Sequence, residues 1–120
     1  MNRITSWGLA AATVLLGAAC ASTSAPKQLK VDTAATIRSA EALDAGEQPE
    51  AALHLELARR GYDDAQKLME DGDHAAATKQ LERAEADAEL AVALAKANTA
   101  RTEATRELER VRELKEEMEQ

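Results

Sequence analysis

The chain has 120 residues, enough for one domain, and a net charge of −7. Hydrophobic residues make up 45% of it, but more than half of these are alanine, Phe is absent, and Trp7 and Tyr62 are the only Trp and Tyr. Such a composition predicts helices around a thin core rather than a pocket walled by bulky side chains, and its acidic balance argues against general nucleic-acid binding and against polybasic docking on anionic lipid.

Residues 1–19 differ from the rest. Arg3 is the only charged side chain before Lys27, and the stretch from Ile4 to Ala19 is apolar or small. A short positive region, an apolar run and small residues at its end describe a secretory signal, and the run is shorter than a membrane-spanning helix requires. Its end, Leu16-Gly17-Ala18-Ala19-Cys20, resembles the lipobox of bacterial lipoproteins in its permissive form, with Gly17 where leucine is commonest. The resemblance implies cleavage before Cys20 and diacylation (palmitate-type chains) of its thiol. Cys20 is the only cysteine, so an internal disulfide cannot account for it. Two acyl chains already anchor a protein stably. Ala21, rather than Asp, follows the cysteine, which by the same resemblance implies the outer membrane, with the protein facing the periplasm. Residues 20–31 then read as the lipidated cysteine and a small, polar tether.

Residues 32–97 read as a short helix and an antiparallel helical hairpin. The first helix is expected from about Thr33 to Ala45, capped by Asp32 or Thr33 and closed by Gly46. The second begins at Pro49, with Glu47 and Glu50 near its positive end. Leu53, Leu57, Ala65, Leu68 and Met69 are expected on its apolar face, and it should continue through Gly61 to about Asp71. Gly72 and Asp73 can close that helix and cap the next, in a turn short enough to force antiparallel packing.

The third helix, from His74, meets no Pro or Gly before Gln120. Ala77, Leu81, Ala84, Ala88 and Ala91 form a stripe that would let it approach the second helix closely. A heptad-like register runs Leu90, Leu94, Ala97, Arg101, Ala104, Leu108, Val111, Lys115, Met118. This helix would be about twice as long as its partner, so residues 98–120 should protrude. Asn98, Thr99, Thr102 and Thr105 interrupt the seam there, and beyond them Glu103–Arg106, Glu109–Arg112, Arg112–Glu116 and Lys115–Glu119 are spaced for helical ion pairs. Such an extension is a solvated single helix, a frayed end or one strand of a coiled coil. The fold class is all-α: a short helix plus an antiparallel helical hairpin with a long, protruding C-terminal helix.

The hairpin also resembles a known bacterial family. Pro49-Glu50-Ala51, Leu55-Glu56-Leu57-Ala58, Leu68-Met69-Glu70-Asp71-Gly72-Asp73 and the run from Glu82 to Ala91 are similar to the domain of unknown function numbered 4398, over roughly residues 33–97. The resemblance implies a small helical envelope protein, often a lipoprotein. It supplies no reaction and no catalytic residues. Some members carry or neighbour a peptidoglycan-binding domain, for which 120 residues leave no room.

No catalytic, cofactor-binding or metal-binding residues are assigned. His54 and His74 are twenty residues apart, without the close ligand spacing that zinc needs. Asp71-Gly72-Asp73 runs into Ala75-Ala76-Ala77, which supplies no further calcium ligands, so capping is its expected role. The Asp63-Asp64 pair and the glutamates read as a solvated face. Neither an enzyme nor a small-molecule substrate is therefore expected. The leading expectation is a lipid-anchored structural or interaction module of the cell envelope. Its partners would be the membrane, through acyl chains on Cys20, and either another envelope protein or a second copy, through the C-terminal helix. An accessory subunit of a transport or secretion complex is one alternative. A non-covalent peptidoglycan-associated spacer resembling the murein lipoprotein is another; that resemblance implies covalent attachment through a terminal lysine, where this sequence has Gln120.

Overall fold

A computed structural model describes residues 24–119. Three α-helices run through them: α1 (Lys27–Ala42), α2 (Pro49–Glu70) and α3 (His74–Met118), with a 3₁₀ turn at Ala45–Glu47 between the first two. Short connections make α2 antiparallel to both neighbours. The interface between α2 and α3 is the most extensive, and α1 packs on both.

Helix α1 starts earlier than the sequence suggests. Lys30 donates its amide to the Pro26 carbonyl at 3.0 Å, so Lys27–Val31 are helical rather than part of a tether. Thr33 is not a cap. It is fully buried, and its hydroxyl donates to the Leu29 carbonyl at 2.8 Å, which lets a polar residue share a face with Ile37 and Ala40. The helix also ends earlier, at Ala42. Asp44, not Gly46, takes the left-handed conformation after it (φ 53°), and Gly46 lies in the 3₁₀ turn.

Helix α2 has Pro49 in its first turn and continues through Gly61, as the sequence predicts. Its buried face is Ala51, Leu55, Ala58, Gly61 and Ala65. Leu53 and Leu57 lie on the other side and are exposed, contrary to expectation. Close approach explains the choice. A Cβ placed on Gly61 would stand 3.1 Å from Ala84 Cβ, so the helices meet along a line of small residues that leucines would hold apart. Leu55 and Leu81 are the largest apolar side chains fully buried here. Each contributes roughly 1.5–3 kcal/mol, while the alanines mainly set how near the backbones come.

The α2–α3 turn follows the sequence reading. Gly72 is left-handed (φ 82°), its amide donates to Met69 O at 3.2 Å, and that of Asp73 donates to Leu68 O at 2.9 Å. These two bonds satisfy carbonyls that the helix end would leave open. The Asp73 side chain accepts from Ala76 N at 3.0 Å and opens α3.

Helix α3 has 45 residues and spans about 67 Å, against about 33 Å for the 22 residues of α2. Ala77, Leu81, Ala84, Ala88, Ala91 and Ala95 are its buried residues among those described. Every described residue from Lys96 onward is exposed. The fold is thus all-α, a three-helix bundle from which the second half of α3 protrudes.

Candidate functional site

One polar contact fastens each pair of helices. Thr36 Oγ1 on α1 donates to Glu85 Oε1 on α3 at 2.6 Å. His54 Nδ1 on α2 stands 2.8 Å from Asp87 Oδ1 on α3. Arg59 on α2 donates to Glu41 Oε1 on α1 through Nη2 at 2.6 Å. These pairs join residues 18 to 49 positions apart, so no local spacing reveals them. A signal was nevertheless present: Thr36, His54 and Asp87 each precede a buried apolar residue, and Glu85 follows one. A polar side chain at the margin of a buried stripe can reach the next helix.

His54 is therefore an interhelical contact, and His74 opens α3 after its Asp73 cap. Among the described residues no group of three or more His, Cys, Asp and Glu could hold a metal ion. Cys20, with the lipidation expected there, and the signal-like segment 1–19 lie outside the described residues.

Several grooves mark the bundle surface. One, of about 430 Å³, opens where α3 leaves the bundle and is lined by Gln48, Pro49, Glu50, Leu94, Asn98 and Arg101, among others. Another, of about 550 Å³, runs between α1 and α2, with Lys30, Val31, Arg38 and Met69 around Tyr62. Lys30 Nζ lies 5.8 Å from the Tyr62 ring centroid. The first carries one acid and one base, Glu50 and Arg101, beside amides and alkyl groups; the second carries three cations, Lys27, Lys30 and Arg38, beside the Tyr62 ring.

The more extensive feature is a second stripe on α3. Ala84, Ala88, Ala91 and Ala95 face the bundle. The residues two positions later, Ala86, Leu90, Ala93 and Ala97, are all exposed. Two residues turn a helix by about 200°, so this second stripe occupies the opposite side. It continues along the extension through Ala100, Ala104, Leu108 and Val111 to Leu114 and Met118, which are 53% and 81% exposed.

The bundle-facing stripe changes character at the same level. Its continuation is Asn98, Thr102, Thr105 and Glu109. The hydroxyls of Thr102 and Thr105 donate to the carbonyls of Asn98 and Arg101, both at 3.0 Å, and so need no partner from another helix. Helix α3 becomes polar on the side where the bundle ends and more apolar on the side where no described residue packs. The heptad-like register is corrected accordingly: Leu94 turns toward the core, and Ala93 and Ala100 take the stripe positions assigned to Leu94 and Arg101. Among the described residues the ion pair in the extension is Glu107–Arg110 at 2.9 Å, rather than the pairings expected from spacing.

A family model described as Domain of unknown function (DUF4398) matches residues 21–115. The chain belongs to this family. The match exceeds the stretch that carries the resemblance in the sequence, and takes in α1 and most of the extension. In this DUF4398 protein the protruding half of α3 is therefore part of the family unit rather than an appendage to it. No curated protein matches the chain, and no solved structure does.

Proposed function

We infer that this DUF4398 protein is a lipid-anchored, non-catalytic structural or interaction module of the bacterial envelope, held in the outer membrane and facing the periplasm. The observation that carries the interaction role is the exposed stripe on α3, which extends well past the bundle. Exposed apolar surface of this extent is the usual mark of a protein partner. The anchor rests on Leu16-Gly17-Ala18-Ala19-Cys20 and on the signal-like segment before it. No helix among the described residues is long and apolar enough to cross a membrane, so attachment in this reading falls to the lipid. The mechanism is tethering: acyl chains on Cys20 fix one end, and the bundle presents a long helix to a partner.

Intact mass after expression in a bacterial host tests the reading, for the wild type and Cys20→Ala together with membrane fractionation. A lipidated wild type in the outer-membrane fraction and an unprocessed variant are expected. A soluble wild type with an unmodified Cys20 overturns the anchor.

A further inference from the structure

We propose that the outer stripe of α3 binds a second copy of this chain, antiparallel, with the two-fold axis at the level of Asn98 and Thr99. Three features select this occupant and this direction.

The first is length. The axis divides α3 into a bundled part, ending near Asn98, and an extension of about the same length, ending at Met118. In the antiparallel arrangement the extension of each copy lies along the outer face of the other copy's bundled part. The stripe from Ala86 to Val111 is then covered, while Leu114 and Met118 lie along the stems of Arg83 and Lys79 of the second copy. The packed helices α1 and α2 lie on the far side of α3, clear of the partner.

The second is size. Ala86, Leu90, Ala93, Ala97, Ala100 and Ala104 follow the alternating four-and-three spacing of a helix-packing seam. About the axis, Ala97 meets Ala100 of the second copy and Ala93 meets Ala104. Small residues at the centre allow the close end of the usual 8–10 Å interaxial range. Farther out, Ala86 meets Val111, and Leu90 lies opposite Glu107 with Leu108 beside it, so the seam is apolar at its centre and mixed toward its ends.

The third is charge, and it decides direction. Glu89, Lys96, Glu103 and Arg110 flank the seam and are exposed. Lys96 and Glu103 form no ion pair among the described residues. The antiparallel register sets Lys96 against Glu103 and Glu89 against Arg110, each twice by symmetry, with one like pair, Glu82 and Glu117, near the ends. A parallel, in-register pair would instead set Lys96 against Arg101, Arg110 against Lys115 and Glu82 against Asp87. All three of those are like-charged, and such juxtapositions select against a partner orientation.

Sedimentation equilibrium on the full chain in non-ionic detergent, carrying Cys20→Ser, tests the proposal. That substitution keeps acylation out of the measurement, so the result is independent of the membrane anchor. A monomer–dimer equilibrium is expected. Lys96→Glu and Glu103→Lys should each raise the dissociation constant about tenfold, since each change affects two symmetric contacts, and the double exchange should return it to near the parent value. All these positions are exposed, and circular dichroism checks that helix content is unchanged. A monomer at every concentration overturns the proposal and leaves the stripe to a different protein. Tighter association of Lys96→Glu, or failure of the double exchange to restore binding, overturns the antiparallel register.

Discussion

Gly61 faces Ala84 so closely that an added Cβ would meet the Ala84 Cβ at 3.1 Å. Two effects compete at this position. Alanine in a helix interior is favoured over glycine by about 1 kcal/mol. Here the new methyl would press on an atom fixed directly to the α3 backbone, and relief requires the helices to separate. Overpacking of this kind costs about 1–3 kcal/mol. Gly61→Ala should therefore lower stability by about 1 kcal/mol in urea unfolding, and Gly61→Leu by more. A stabilised Gly61→Ala variant would show that the helices are free to move apart.

The His54–Asp87 contact is partly exposed, with side-chain accessibilities of 26% and 30%. A hydrogen bond in such a setting contributes about 0.5–1.5 kcal/mol net. His54→Ala and Asp87→Ala should each destabilise the protein by an amount in that range, and the double variant by less than their sum. A double-mutant cycle measures the coupling, and strict additivity would mean that the contact contributes nothing.

At the α2–α3 turn, Gly72→Ala forces a Cβ into the left-handed region at φ 82° and should cost about 1–2 kcal/mol. Asp73→Ala removes the acceptor for Ala76 N and should cost about 1 kcal/mol. Asp73→Ser keeps a capping oxygen and should recover most of that loss. Thermal denaturation of the three variants compares them directly.

The turn between α1 and α2 offers the opposite experiment. Asp44 holds a positive φ, whereas Gly46 does not and has open space around its Cα. Gly46→Ala should raise stability by about 0.4–1 kcal/mol by narrowing the unfolded ensemble. Asp44→Gly should be close to neutral, since relief of the left-handed backbone offsets the added freedom of the unfolded chain. Midpoint shifts in urea, at constant slope, check both.

The sequence makes the helices and the Gly72–Asp73 turn legible because each has a local cause: Pro49 at a start, a left-handed glycine at an end, an aspartate able to cap. The protrusion of α3 follows from counting residues. Less legible was which side of α2 packs. Leu53 and Leu57 draw the eye because bulk usually marks a core, but here closeness does, and it favours Ala51, Ala58, Gly61 and Ala65. The start of α1 was missed for a similar reason: Thr33 reads as a cap until its hydroxyl is seen bonded back to Leu29. The outer stripe was half visible. Leu90, Ala97, Ala104, Leu108, Val111 and Met118 stand in the heptad-like register, but without the α3 packing direction nothing showed that they face away from the bundle.

A core of methyl groups specifies distance well and orientation poorly. From Ala84 to Ala97, α3 carries two alanine-rich stripes about 200° apart, so over that stretch a half-turn of the helix would offer α1 and α2 a surface nearly as smooth as the one they hold, whereas earlier in the helix Lys79 and Arg83 already mark the outer side. Glu85 and Asp87 remove that ambiguity. Only in the observed orientation do they reach Thr36 and His54; rotated, both acids would leave their partners behind. Each bond adds little energy, yet together they act as a key that distinguishes inside from outside over the stretch of α3 whose apolar pattern does not.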